Sequence, residues 1–124
     1  MSLDNIPGYH FTEGYHGTDE VTARKLVESG FDSDLPVYLA APNQTYLAHG
    51  HGLKNAERTG SMNYALIRAE FPKTHLKENF LGPESLRLHG DEVDKIAIVG
   101  LSIYSRTGRL IEGEPVEVEY PRGY

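Results

Sequence analysis

The sequence predicts a small α+β domain, and three observations lead to that class. One segment, residues 19–29, has the apolar spacing of an amphipathic helix. Three apolar segments of strand length, at 37–41, 63–71 and 95–104, are separated by glycine, proline and polar residues. The length of 124 residues suits one domain with a real core, and no structural repeat divides it. We therefore expect residues 1–124 to form a single domain.

The first helix is the best-marked helical element. Its apolar residues lie near one another on a helical wheel: Val21, Ala23, Leu26 and Val27. Thr18 or Asp19 can cap its start, because a short polar side chain accepts a hydrogen bond from the free N–H groups of the first turn. Gly30 ends the helix, since a residue without a Cβ adopts a positive φ at little cost, and Phe31 can fold back onto the last turn.

A short strand, a second helix and a longer strand follow. The segment VYLAA (37–41) is typical of a buried strand, which Pro42 and Asn43 interrupt. A second helix is predicted over residues 44–56, where two glycines lower the helix propensity. Residues 63–71 carry apolar side chains at successive positions, which predicts a strand with both faces at least partly covered.

The second half of the chain predicts two more strands. Residues 72–94 contain several glycines, prolines and polar groups, which predicts irregular structure with one helical turn. The segment KIAIVGLSIY (95–104) has the strongest strand pattern, and residues 105–109 form a turn after it. Residues 115–120 alternate valine with glutamate, which predicts a half-exposed edge strand.

Composition narrows the classes of function. A formal net charge of −6 argues against sequence-independent binding of nucleic acid, which requires clustered lysine and arginine. The absence of cysteine excludes disulfides, thiolate metal sites and a cysteine nucleophile. No apolar run approaches the ~20 residues of a membrane-spanning helix, and the N-terminus lacks the pattern of a signal peptide. We expect a soluble, cytoplasmic protein without membrane contact, and secretion by a dedicated system stays open.

A short motif, Gly-Tyr-His-x-Thr, occurs twice near the N-terminus, at residues 8–12 and 14–18. The second copy leads directly into the capped helix, so it predicts that His16 ends a short strand just before that helix. The first copy, which contains His10, is followed by no helix pattern. We therefore expect function at the second copy.

Three landmarks occur in order from that copy: YHGT at 15–18, TARKLVESGF at 22–31 and PVYLA at 36–40. Their order resembles the N-terminal part of the ADP-ribosyltransferase fold, the superfamily of poly(ADP-ribose) polymerases and diphtheria-type toxins. The resemblance covers residues 14 to about 53. It implies a split, strongly curved antiparallel sheet around a cleft, with a few short helices. It also implies transfer of ADP-ribose from NAD to a protein or nucleic-acid acceptor, as in a small toxin, effector or modifying domain.

The resemblance also implies roles for individual residues. Its cofactor-binding positions are His16, Gly17, Thr18, Tyr38, Tyr46 and His49. His16, as a neutral imidazole, would hydrogen-bond a ribose hydroxyl of NAD and take part in catalysis. Gly17 would present its main chain to the nicotinamide carboxamide, and Thr18 would cap the helix. Tyr38 would stack on the nicotinamide ring, with Tyr46 or His49 closing the other face.

The family also uses a carboxylate near the start of a late strand, to orient a ribose hydroxyl or to deprotonate the acceptor. Glu92 is the first choice for the catalytic acid because it shortly precedes the strand at 95–104. Four other acids remain candidates: Asp91, Asp94, Glu112 and Glu114. No acid pair of the kind found in arginine-modifying toxins stands in a convincing loop.

Other functions stay open. Without a certain acid, the chain could bind NAD or ADP-ribose without transfer, or act as a protein-interaction module of immunity type. A third possibility is an RNA 2'-phosphotransferase-like enzyme, which shares the fold and needs several arginines for phosphates. Here Arg24, Arg58, Arg68 and Arg87 are scattered along the chain. His49 and His51 lack a third ligand at helical spacing, so we predict no metal site.

Overall fold

A six-stranded antiparallel sheet forms the centre of the computed structural model, which describes residues 13–42, 44–71 and 85–119. The strands are β1 (Glu13–Asp19), β2 (Val37–Ala40), β3 (Asn63–Glu70), β4 (Ser85–Leu88), β5 (Ala97–Ser105) and β6 (Leu110–Glu112). They lie in the order β4-β2-β1-β3-β5-β6. The predicted α+β class is therefore confirmed. The finer prediction, an ADP-ribosyltransferase form of this sheet, stays a prediction.

Strand β3 is buried on both faces, as its sequence predicts. It pairs with β1 on one side and with β5 on the other. Tyr64 and Leu66 belong to one buried cluster, and Ala65 and Ile67 belong to another that includes Ala23 of the first helix. Alternate side chains of a strand point to opposite faces, so continuous apolar character places β3 inside the molecule.

Helix α1 (Glu20–Ser29) follows β1 without a loop. Asp19 is its N-cap, because its carboxylate accepts a hydrogen bond from the Thr22 N–H at 3.0 Å. Gly30 ends the helix with φ of 80°, and its N–H donates to the Leu26 carbonyl at 2.7 Å. The sequence predicted this helix and both of its ends.

Helix α2 (Tyr46–Thr59) contains the two glycines that lower its intrinsic propensity. Gly52 allows close packing on the sheet, since a Cβ there would lie 2.8 Å from Cδ2 of Tyr64. Gly50 faces open space, with nothing within 4 Å of an added Cβ. Gly60, with φ of 73°, ends the helix. The predicted helix is confirmed. It forms because tertiary packing outweighs the helix-propensity cost of about 1 kcal/mol per glycine.

Two regular elements lie in the region predicted to be mostly irregular, residues 72–94. Strand β4 pairs with β2, and a 3-10 helix follows at Gly90–Lys95. Leu88 and Val93 are buried in the same apolar cluster. Strand β4 was missed because four residues carry little periodicity and this strand forms by pairing with a distant partner. Residues 72–84 lie outside the described residues.

The predicted edge strand at 115–120 is wrong, and β6 occupies the edge of the sheet beside β5 instead. The main chain after β6 is held mostly by side chains rather than by a strand ladder. The Val116 N–H donates to the Tyr104 hydroxyl at 2.7 Å, and the Glu119 N–H donates to Oγ1 of Thr45 at 2.7 Å. These contacts satisfy the backbone without a ladder, so valine alternation alone did not identify a strand. Residue 120 lies outside the described residues.

The sheet is covered on both faces by apolar side chains. One cluster joins α2 to the sheet, a second joins α1 to the sheet, and a third packs β2 and β4 against the 3-10 helix. Within the described ranges, no helix combines the length and apolar character needed to cross a membrane. The predicted cytoplasmic location stays a prediction.

Candidate functional site

Strands β1 and β2 meet through a single registered pair, Tyr15 with Ala40. By contrast, β1 pairs with β3 along all of its residues. The six-stranded sheet is therefore continuous, but far fewer residue pairs join β1 to β2 than join β1 to β3. Beyond that pair, the side chain of His16 spans the gap, and a cleft opens towards α2.

His16 bridges the two strands. Its Nδ1–H donates to the main-chain oxygen of Tyr38 at 3.0 Å, and its ring packs edge-on against Phe31 at 5.3 Å between centroids. Because a carbonyl can only accept, Nδ1 carries the proton and Nε2 keeps a lone pair. Burial lowers the pKa of His16, which keeps the imidazole neutral at pH 7. His16 lies within β1, opposite Ile67, and not at the strand end that the sequence predicted.

The cleft has a volume of about 620 Å³ and lies between β1, β2 and α2. Its lining residues are Tyr15, His16, Gly17, Tyr38, Leu39, Ala40, Leu47, Ala48, His51, Lys54, Asn55 and Arg58. Three of the predicted cofactor-binding residues, His16, Gly17 and Tyr38, therefore share one cleft. A volume of this size is typical of small-molecule sites.

Gly17 is the point of closest approach between β1 and α2. A Cβ at this position would lie 1.9 Å from the Ala48 carbonyl oxygen and 2.8 Å from the Gly52 nitrogen. Glycine is thus required for packing of the helix on the strand, whatever its role towards a ligand. Its main chain also borders the cleft.

Tyr38 has an exposed ring, in contrast to the buried strand that the sequence predicted. It is 49% exposed, while its neighbours Val37 and Leu39 are 3% and 0% exposed. The neighbours point to the apolar cluster on the opposite face of β2. An aromatic face left open beside a cleft can stack on a planar ring of a ligand.

Basic residues of α2 form one wall of the cleft. His51, Lys54 and Arg58 recur at three- and four-residue spacing, so they lie on one side of the helix. Nη2 of Arg58 donates to Oδ1 of Asn55 at 3.0 Å. Among the described residues that line the cleft there is no carboxylate, so its wall is cationic. The sequence reasoning missed this row, although the helical spacing of the three residues would have revealed it.

Thr18 does not cap α1, which corrects the role expected for it. It is buried, and its hydroxyl accepts a hydrogen bond from Nδ2 of Asn55 at 2.9 Å. The same hydroxyl donates to the Asp19 carboxylate at 3.4 Å. Thr18 therefore connects β1 to α2 and fixes Asn55, which in turn holds Arg58.

His49 lies away from the cleft, on the buried side of α2. Its Nε2–H donates to the Val116 carbonyl at 2.8 Å, and its Nδ1 accepts from the Tyr64 hydroxyl at 2.9 Å. Burial lowers the pKa of this imidazole. His51, two residues later, faces the cleft, so the two histidines diverge. In the part of the chain that the structure describes, no group of three or more metal-ligating side chains occurs.

Tyr46 is the first residue of α2 and does not line the cleft. Its main-chain N–H donates to the Glu119 carbonyl at 3.1 Å. The structure therefore brings neither Tyr46 nor His49 to the open face of Tyr38.

Glu92 lies in the 3-10 helix and is not a lining residue of the cleft. Its carboxylate accepts from the His89 N–H at 3.3 Å and lies 3.8 Å from Nε2 of the same histidine. This geometry is that of a capping box, in which an acid satisfies the first free N–H group of a helix. It gives Glu92 a structural role at its present position.

The other four candidate acids also lie outside the cleft. Asp91 and Asp94 are exposed in the 3-10 helix. Glu112 forms an exposed ion pair with Arg24, with Oε1 3.0 Å from Nη2. Glu114 borders a separate hollow beside β5. The structure thus brings none of the five predicted acids to His16.

Comparisons with protein-family models, with curated proteins and with solved structures found no match to this chain.

Proposed function

We propose that the cleft binds NAD and that the chain is an ADP-ribosyltransferase-like protein. One observation carries the proposal: a neutral imidazole at His16, held by the main-chain oxygen of Tyr38, shares a cationic-walled cleft with the exposed ring of Tyr38. NAD offers a matching chemistry, since it combines a planar nicotinamide ring, ribose hydroxyls and a pyrophosphate. The volume of about 620 Å³ supports a ligand of this class.

Each group in the cleft has a suitable partner on such a ligand. Nε2 of His16 keeps a lone pair and can accept a hydrogen bond from a ribose hydroxyl. The ring of Tyr38 can stack on nicotinamide. Lys54 and Arg58 supply positive charge for the phosphates.

The proposed reaction breaks the bond between the nicotinamide nitrogen and ribose C1', and nicotinamide leaves with the bonding electron pair. An acceptor nucleophile then forms a bond to C1' and loses its proton to a base. Stabilisation of the positive charge that develops on the ribose, together with exclusion of water, would supply the catalysis. His16 would orient the ribose from a fixed position, and the base is unassigned because the described lining contains no carboxylate.

The lack of a carboxylate in the described lining favours one second function, an NAD-binding or ADP-ribose-binding module without transfer. The two functions differ in a single measurable step, the release of nicotinamide. Binding alone needs the groups around His16 and Tyr38, whereas transfer also needs a proton acceptor.

The test combines calorimetric titration of NAD with chromatographic detection of nicotinamide. Wild type should bind NAD. His16→Ala should weaken binding by about tenfold, because the ribose hydroxyl loses its hydrogen-bond acceptor. His89→Ala removes an exposed histidine outside the cleft and should leave binding unchanged. No binding by wild type would refute both functions.

Nicotinamide release separates the remaining possibilities. Release that depends on His16 supports transfer, whereas binding without release supports the binding module. Glu92→Gln tests the predicted acid. A third arm offers 2'-phosphorylated RNA together with NAD; transfer of its phosphate would instead support the phosphotransferase possibility.

A further inference from the structure

A second cationic group, Arg68, lies on β3 apart from the cationic wall of the cleft. It sits in the sheet between Tyr15 of β1 and Gly100 of β5. A Cβ on Gly100 would lie 3.5 Å from Cβ and 3.6 Å from Nε of Arg68, so the arginine side chain covers this glycine. The missing side chain at position 100 leaves room for the guanidinium beside β5.

The guanidinium of Arg68 has no ion-pair partner among the residues that the structure describes. Its Nε is buried without a hydrogen-bond partner. A buried donor on a charged group is costly when it finds no acceptor. An arginine fork binds carboxylate or phosphate with two parallel hydrogen bonds, so an oxyanion is the group that this site lacks.

The space beside Arg68 is a bounded hollow of about 260 Å³. It is lined by Tyr15, Leu66, Arg68, Val99, Gly100, Leu101, Ser102, Gly113, Glu114, Pro115 and Val116. This volume is many times the roughly 10–15 Å³ that one water molecule needs. It can therefore admit a phosphate or carboxylate group with part of the molecule that carries it.

The outer wall of the hollow is fixed in place. The Ser102 hydroxyl donates to the Glu114 carbonyl, and the Val116 N–H donates to the Tyr104 hydroxyl at 2.7 Å. A Cβ on Gly113 would lie 2.0 Å from the Leu101 carbonyl oxygen, so the chain there runs directly against β5. The hollow is thus built by hydrogen bonds and close main-chain packing.

We propose that this hollow is a second ligand site, in which the Arg68 guanidinium binds an oxyanion group of a small molecule. Tyr15 borders both this hollow and the main cleft, so the two sites are neighbours with separate cations. Glu114 borders the hollow as well, and its negative charge opposes an incoming anion. The proposal does not depend on NAD binding in the main cleft.

Inorganic phosphate and acetate are the probes, titrated at constant ionic strength set with sodium chloride. Nitrogen-15 NMR of the arginine Nε–H groups reports directly on Arg68, whose resonance is assigned by its loss in Arg68→Lys. We expect one or both anions to shift this resonance in wild type. Arg68→Gln should weaken the binding of that anion, measured by calorimetry, by about tenfold or more, as expected for a lost charge-assisted hydrogen bond.

Matched variants separate this site from other cations and from misfolding. Arg87→Gln removes an exposed arginine of β4 outside both sites and should leave anion affinity unchanged. Glu114→Gln should tighten binding because it removes a like charge. If Arg68→Gln does not fold, Arg68→Lys keeps the charge without the fork and should still weaken binding. An unmoved Arg68 resonance, or binding lost in Arg58→Gln but kept in Arg68→Gln, would overturn the proposal.

Discussion

Nδ1 of His16 lies 3.0 Å from the main-chain oxygen of Tyr38, across the gap where β1 and β2 separate. The side chain thus supplies a link between strands that the ladder does not make beyond Tyr15 and Ala40. It also fixes the tautomer, because a carbonyl oxygen requires a donor. This one contact therefore links β1 to β2 and leaves Nε2 as the acceptor nitrogen of the imidazole ring.

Stability should fall as the pH drops below about 6.5, the pKa of an unperturbed histidine. Burial lowers the pKa of His16 and of His49 in the folded state. In the window between the folded and unfolded pKa values, the unfolded chain binds more protons, so acidification favours unfolding. The free energy of unfolding, measured with urea at pH 7.5, 6.5 and 5.5, should show this loss.

Two variants check the cause of that pH dependence. His49→Gln and His16→Gln should each have a smaller difference in stability between pH 7.5 and 5.5 than wild type, because each removes one titrating group. Comparison with wild type cancels the contribution of the carboxylates. Equal pH dependence in wild type and both variants would contradict the prediction.

Gly17→Ala should destabilise the protein by about 1–3 kcal/mol or more, the usual cost of overpacking. The new Cβ would lie 1.9 Å from the Ala48 carbonyl oxygen, which is main chain and cannot rotate away. Gly50→Ala is the matched control, since a Cβ there meets nothing within 4 Å. It should stabilise the protein by up to about 1 kcal/mol through helix propensity. Urea unfolding measures both, and equal effects would mean that α2 does not pack on Gly17 as described.

Tyr104→Phe should loosen the chain after β6. The Tyr104 hydroxyl accepts from the Val116 N–H at 2.7 Å and donates to the Val116 carbonyl at 3.1 Å. Its loss leaves these groups without that partner, at a cost of about 1–3 kcal/mol. Hydrogen exchange of the Val116 amide should accelerate, together with a lower melting temperature. Tyr38→Phe removes an exposed hydroxyl and should change neither.

Lys54→Gln and Arg58→Gln should weaken NAD binding and reduce its dependence on salt. Both side chains line the cleft, and salt screens the attraction between such exposed cations and phosphates. Lys25→Gln makes the same change of charge on α1, outside the cleft, and should leave the affinity unchanged. Calorimetry at 50 and 300 mM sodium chloride measures the effect. Equal losses in all three variants would indicate a nonspecific response to net charge.

Helix α1 illustrates what could be read from local sequence. Asp19 and Gly30 act at its ends through their own side chain or lack of one, and these effects depend on a few neighbouring residues. Burial of β3 followed in the same way from its unbroken apolar pattern. Strand β4 was missed, and the strand predicted at 115–120 was wrong, because in both cases distant partners decide how the main chain is satisfied.

The residues of the cleft also divide into those that the local sequence predicted and those that only the folded structure brings together. The ordered landmarks at His16, Gly17 and Tyr38 identified three residues that line it, whereas the basic row of Lys54 and Arg58 on α2 was overlooked and Glu92 lies elsewhere. Caps, turns and apolar periodicity are short-range properties, so the order of residues is enough to reveal them. Which side chains from separate elements meet in one cavity depends on strand pairing and on how closely α2 packs against β1. These tertiary contacts form only once the whole chain has folded. They place His16 as a bridge between strands and Glu92 as a helix cap.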